Sequence, residues 1–280
     1  SFTHPVLSCQ EAKVLESCVL VDVAAEWAAI KLAGQGIAKQ LVQDYAELCP
    51  PPEYLRILAL IGKGNNGGDA LIACGQLLAD FPRARVDLIL TLPPEELRPL
   101  AARALQQLEG RVEVHQVSKQ NCVSDVTKML SDAAGSGGFH ICIDGLLGMD
   151  FSPPLRAPFA SLIEAVNAFE AINLRASVDL PSGKGDGVKN NITSFQADFT
   201  YATGIAKKPI FKGIAECGRI RYIDLGFFEA SQAEAIQTKE SILTSAVLDP
   251  IRRLRPAAVD KRAFGHLFIV GGSAYMPGAL

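Results

Sequence analysis

Between Tyr54 and Leu225 the chain repeats one pattern, a short apolar run of strand length, then a turn, then apolar residues at helical spacing. This constrains the fold more than any other feature. Strands that are apolar along their whole length are buried on both faces, and helices linking them pack on either side of a parallel sheet. The strand-length runs are Leu55 to Ile61, Val86 to Leu92, Val112 to Val117, His140 to Ile143, Leu174 to Val178, Phe199 to Thr203 and Arg219 to Leu225. Helical spacing falls between the early ones, at Asp69 to Phe81, Pro94 to Glu109, Val123 to Ala134 and Pro158 to Phe169. Ahead of them, Ser8-Cys9-Gln10-Glu11 reads as a capping box that starts a helix near Cys9. Val23 to Leu48 forms a second, alanine-rich helical stretch that Pro50-Pro51-Pro52 ends. The expected class is α/β.

Composition narrows the function. Apolar residues make up 49% of the 280 and charged residues 20%, which excludes a disordered chain. With 27 basic and 30 acidic residues the net charge is −3, so no positive field exists to hold a polyanion, and nucleic acid is not an expected partner. No apolar stretch reaches the roughly 18 residues of a membrane helix. Ser1 to Gln10 lacks the cationic start and apolar middle of a signal peptide, so the expected location is cytoplasmic. The seven cysteines are scattered without paired spacing and read as core residues, and the four histidines are dispersed and read as structural.

Sheets of this kind bind ligands at the carboxyl ends of their strands. Three of the turns there are chemically unusual. Gly62-Lys63-Gly64-Asn65-Asn66-Gly67-Gly68-Asp69 follows one strand and opens a helix, where glycines and free amides suit a phosphate. It lacks the ending of a Walker loop. Its Gly62, Gly64, Gly67 spacing fits a dinucleotide fingerprint, with Asp87 about 20 residues on as the ribose-binding acid. Ile143-Asp144-Gly145-Leu146-Leu147-Gly148 and Ser177-Val178-Asp179-Leu180-Pro181-Ser182-Gly183 each end a strand in a carboxylate. Taken singly, each of the three also reads as an ordinary capped turn. Together they supply Asn66, Asp144 and Ser182 as oxygen donors near one point, a set that suits a hard cation, including a large, weakly hydrated one such as potassium.

These turns, in this order and at these separations, resemble the NAD(P)HX epimerase family, also called the YjeF N-terminal domain. The resemblance extends from about Glu16 to Phe227 and takes in Leu32-Ala33-Gly34, the Asn-Asn-Gly-Gly-Asp segment, Asp-Gly-Leu-Leu-Gly, Pro154-Leu155-Arg156-Ala157-Pro158, and Asp179-Leu180-Pro181-Ser182-Gly183. Ala197-Asp198-Phe199-Thr200 and Lys207 look like its late strand. It implies a Rossmann-like three-layer α/β/α sandwich with a mostly parallel central sheet. It also implies a reaction that interconverts the R and S forms of hydrated NADH or NADPH in nicotinamide nucleotide repair. By the same resemblance Asn65, Asn66, Gly67, Gly68, Asp69, Gly148, Met149, Asp150, Phe151, Ser152, Pro153, Pro154 and Asp179 are substrate-binding, and Asn66, Asp144 and Ser182 hold one potassium ion per subunit. Asp179 is the expected general acid/base; Asp69 is the second candidate, with helix capping as its competing role. Where the family commonly has Gly-Thr-Gly, this chain has Gly148-Met149-Asp150, which removes a hydroxyl and adds a negative charge.

The resemblance assigns residues 1–228 to the epimerase domain. Residues 229–280 are then a linker and the truncated start of an NAD(P)HX dehydratase domain, to whose opening strand and turn Phe264 to Ser273 and Met276 to Ala279 are similar. The parent protein is expected to be a bifunctional epimerase and dehydratase, and the epimerase domain to form a homodimer or higher homo-oligomer. Two readings compete: an NAD(P)-dependent oxidoreductase, resting on the glycine spacing and Asp87, and a non-catalytic scaffold for nucleotide or RNA.

Overall fold

The structure, a computed structural model, describes residues 2–188, 193–230 and 238–253. Seven parallel strands form the central sheet: β2 (Arg56–Ile61), β3 (Arg85–Leu90), β4 (Glu113–Gln116), β5 (Phe139–Gly145), β6 (Ile172–Val178), β7 (Phe199–Thr203) and β9 (Arg219–Ile223). Their spatial order is β4-β3-β2-β5-β6-β7-β9. All seven predicted runs are strands, and the molecule is a Rossmann-like α/β/α sandwich.

The period of two along each strand divides the core. Ile57, Ala59 and Ile61 face helices α2 (Val23–Leu48), α3 (Asn65–Asp80) and α4 (Pro99–Gln106). Leu58, Leu60 and Cys142 face α5 (Val123–Ala134) and α6 (Phe159–Ala168). The capping box forms at α1 (Cys9–Val19), where the Glu11 amide donates to Ser8 Oγ and the Ser8 amide donates to Glu11 Oε2 at 2.7 Å. Asp22 caps α2 by accepting from the Ala25 amide.

The structure differs from the sequence reading at several elements. The helix expected over Pro94 to Glu109 is a single 3-10 turn, Pro94–Glu96, followed by α4. Pro99 forces Arg98 into an extended conformation, so the helix restarts at the proline. A first strand, β1 (Thr3–Leu7), pairs in parallel with the two-residue β8 (Ala206–Lys207) through Val6 and Leu7; β8 is too short for periodicity to reveal, and Thr3, His4 and Pro5 leave β1 without an apolar run. Helix α3 begins at Asn65, four residues before the expected Asp69.

Residues 4–242 form one unit. A second joins residues 1–3 with those from Leu243 on and contains the 3-10 turn Ser245–Leu248 and the short helix Asp249–Arg253. The expected dehydratase-like strand near Leu267 lies outside the described residues.

Candidate active site

The strand order reverses between β2 and β5, and the crevice beyond their carboxyl ends is where such sheets bind ligands. The turns after β2, β5 and β6 meet there. The Gly62 amide donates to the Gly145 carbonyl at 3.1 Å. A Cβ on Gly62 would lie 1.8 Å from the Leu146 carbonyl oxygen, so only glycine lets these two turns touch. Asn66, on the first turn of α3, joins the three sheet ends, its Nδ2 donating to the Leu147 and Val178 carbonyls at 3.1 Å each.

Below Leu147 lies Asp144, 1% exposed. Its carboxylate accepts from Ser182 Oγ at 2.6 Å, the Ser182 amide at 2.8 Å, the Leu146 amide at 3.2 Å and Ser177 Oγ at 3.3 Å. Burial pushes the Asp144 carboxyl up to about 6, and these hydrogen bonds pull against it. Ser182 Oγ also accepts from the Leu147 amide at 2.9 Å. Asn66, Asp144 and Ser182 are therefore brought together around one peptide unit. Their donor set is an amide, a hydroxyl and one carboxylate, all oxygen-bearing, which fits a hard monovalent cation.

Above Leu147 opens a cavity of about 280 Å³. Residues 146–151, Asn65, Asn66 and Asp69 line one side, with Lys63 and Arg98 at the mouth beside the α3 N-terminus; Glu16, Glu26 and Ile30 line another. At its inner end Asp179 takes a left-handed backbone conformation, φ 64°, the one non-glycine residue with positive φ among the described residues. Asp tolerates that region better than most side chains. The Asp179 amide donates to the Tyr201 carbonyl.

The Asp179 carboxylate accepts a 2.6 Å hydrogen bond from Lys207 Nζ, which lies 3.6 Å from Glu16 Oε1 and donates to the Thr203 carbonyl at 3.4 Å. Lys207 is 1% exposed. Burial works against its charge, but the Asp179 and Glu16 carboxylates outweigh burial and hold the ammonium above its ordinary range. Asp69 is buried against the same group, and its Oδ1 has no hydrogen-bond partner. Burial, then the Asp179 and Glu16 charges, push its carboxyl well above the usual carboxylate range. Burial pushes Glu16 up to about 7.

The site residues expected from the sequence thus divide. Asn65, Asn66, Asp69, Gly148, Met149, Asp150, Phe151 and Asp179 line the cavity. Gly67 and Gly68 sit within α3, where Gly67 packs on the Gly62 carbonyl and Gly68 on Ile30 and Ala101. Ser152, Pro153 and Pro154 are outside the lining, as are Asp144 and Ser182, which lie below it. Asn65 to Asp69 is helix rather than loop, and Gly64 is the N-cap, so the capping role weighed for Asp69 is overturned. The charge added by Asp150 is met by Lys13, and Met149 packs into the core. Asp87 lies in the middle of β3, buried, with one carboxylate oxygen 2.9 Å from His115 Nε2. It is remote from the strand's carboxyl end, so the ribose-binding role that favoured an oxidoreductase is lost.

Sequence reading missed two groups here, Glu16 and Lys207, as parts of the site. Each left a signal. Glu16 follows Ala12 by one helical turn on the face of α1 that also buries Leu15, and Lys207 follows the apolar Ile205-Ala206 pair.

The chain has relatives among known proteins. A model of the YjeF-related protein N-terminus family matches residues 28–209. An NAD(P)H-hydrate epimerase of Rhodopirellula baltica is 31% identical over 230 aligned positions, covering 79% of this chain and 84% of that one. A bifunctional NAD(P)H-hydrate repair enzyme of Gloeobacter violaceus is 27% identical across 98% of this chain, which spans 51% of that protein's length. A yeast protein of known crystal structure superposes with a TM-score of 0.63 at 18% identity, covering 86% of this chain and all of that one.

Proposed function

This chain belongs to the family of YjeF-related protein N-termini, and from that premise we propose that it interconverts the R and S epimers of hydrated NADH and NADPH in nicotinamide nucleotide repair. One observation carries the reading. A buried carboxylate held by a buried lysine closes the inner end of a cavity whose mouth carries a helix N-terminus and two cations. A dinucleotide has matching parts, with phosphates for the α3 amides, Lys63 and Arg98, and a ring carbon bearing a hydroxyl for the acid/base groups.

That carbon is bonded to both a hydroxyl and the ring nitrogen. Its inversion follows if the C–N bond breaks, the hydroxyl proton leaves, a carbonyl forms, and the nitrogen closes on the other face. Asp179 takes the hydroxyl proton and returns it on closure. Its 2.6 Å contact with Lys207 Nζ fixes its direction. Asn66, Asp144 and Ser182 would hold a potassium ion, which supplies positive charge that braces the turns and screens the phosphates.

We place this unit as the front half of a bifunctional, cytoplasmic repair enzyme that pairs through α1 and α2, where Val14, Val23 and Leu32 are exposed.

The test is equilibration of purified R and S hydrates, followed by chromatography. Asp179→Asn is expected to lower kcat by about 100-fold or more, the scale of a lost acid/base group. Full activity in that variant would refute the assignment. Replacement of potassium by lithium is expected to raise KM several-fold while leaving kcat within about twofold, the pattern of lost ground-state binding.

A further inference from the structure

We propose that Asp69 enters this reaction as a neutral carboxylic acid that protonates the ring nitrogen, and that Glu16, reaching in from α1, keeps it neutral. The proposal rests on the epimerase reading and adds the proton donor that reading lacks.

Charge balance makes the argument. Three carboxyl groups, Glu16, Asp69 and Asp179, meet at the inner end of the cavity with a single buried cation, Lys207. Lys207 directs its contacts at Asp179, at Glu16 and at the Thr203 carbonyl. None of these contacts reaches Asp69, on which Lys207 acts only through its field. The Asp69 side chain is more than nine-tenths buried, it lines the cavity, and its Oδ1 lacks any partner. An ionised carboxylate there would lose hydration at Oδ1 with no hydrogen bond in its place, whereas a carboxylic acid offers its hydroxyl to whatever fills the cavity. The other facing groups are Asp150, whose charge adds to the negative field at Glu16, and the buried Cys9 thiol, which faces Lys207 and is itself held neutral by burial. Lys63, Arg98 and Glu26 belong to the outer lining. The upward displacement of both Asp69 and Glu16 agrees with this inventory. Glu16 lies outside residues 28–209, so the family match does not contain it.

The step balances without a co-reactant. The Asp179 carboxylate takes the hydroxyl proton, the oxygen lone pair forms the carbonyl, the C–N pair moves to nitrogen, and nitrogen takes the Asp69 proton. Closure on the opposite face reverses each transfer and restores both carboxyls.

Two measurements test it. The first is infrared difference spectroscopy of the wild type without substrate. Among the protonated-carboxyl bands at pH 7, to which Glu16 also contributes, one is expected to vanish as pH rises and to be missing from Asp69→Asn, whose neutral amide fits the same site, while the Glu16 band remains there. No such band in the wild type overturns the proposal. The second is the pH profile of epimerisation. Wild-type kcat falls on the alkaline side as Asp69 ionises, and Asp69→Asn lowers kcat about 100-fold with KM within a few-fold. Glu16→Gln removes a negative charge, so the alkaline limb moves to lower pH by about one unit. A limb that stays in place refutes the role of Glu16, since a residue acting only through packing leaves it unmoved. A band that behaves as expected in a protein that does not epimerise supports the neutral Asp69 and refutes the epimerase reading instead.

Discussion

Lys207→Met is expected to lower the unfolding temperature by about 10 °C at pH 8 and by much less at pH 5. Lys207 is 1% exposed and, among the described residues, is the only cation in contact with Asp179 and Glu16 in the inner cavity. Removing one partner of a buried ion pair costs about 3–5 kcal/mol because the other charge is left uncompensated. In a chain of this size each kcal/mol corresponds to about 2–4 °C. The pH dependence follows from linkage. Carboxyl groups whose folded-state pKa lies above the unfolded value bind more protons when folded, so the stability they lend is full below about pH 4 and is lost as pH rises through the folded value. Glu16 and Asp69 already behave this way in the wild type, Glu16 at about 7, and removing the ammonium takes away the positive charge that pulls both down. At pH 5 the cluster of the variant is largely neutral and its deficit shrinks. Calorimetry at the two pH values decides the matter, and equal deficits would show that Lys207 acts through packing alone.

The sheet was legible in the sequence because parallel strands buried on both faces leave continuous apolar runs, and all seven were found within a few residues of their ends. The site was legible in part, for a related reason. Asp144 ends a strand, and Asn66, Asp179 and Ser182 lie within five residues of one, so the topology brings them together at the switch point. Glu16 reaches the cavity from a helix that precedes the sheet, and Lys207 from a two-residue strand whose partner is β1. Glu16 follows no sheet strand and Lys207, though it comes after β7, is paired outside the central sheet, so only the packed structure shows that they converge. Asp87 illustrates the opposite error. Its distance from the glycine turn matched a fingerprint, but strand register places it away from the carboxyl end, where it pairs with His115.

The inner cavity concentrates features that stability alone would not select: a left-handed non-glycine residue, a buried lysine and a partnerless carboxyl oxygen. Strain and imperfect solvation of this kind gather where chemistry is done, and surrounding packing must hold them in place. Here the support comes from below, from the Asp144 carboxylate and its donors.

Asp144→Ala is accordingly expected to cost more than any other single truncation in that layer. Its removal leaves four buried donors without an acceptor, the amides of Ser182 and Leu146 and the hydroxyls of Ser182 and Ser177. A buried group left unsatisfied costs about 1–3 kcal/mol, and even partial relief by rotation of the two hydroxyls leaves the amides exposed to that penalty. At about 2–4 °C per kcal/mol, the unfolding temperature should fall by about 10 °C. Asp144→Asn keeps the volume but turns one acceptor into a donor that confronts a donor, so it rescues the packing without rescuing the turn. A cation held by Asn66, Asp144 and Ser182 adds a separate signature. Ligand in hundredfold excess over its dissociation constant stabilises the folded state by about 2.7 kcal/mol. Potassium, compared with lithium at equal ionic strength, should therefore raise the wild-type transition and leave both variants where they were. A variant that melts within a degree or two of the wild type, and still responds to potassium, would mean that the turns after β5 and β6 are held by something other than this carboxylate.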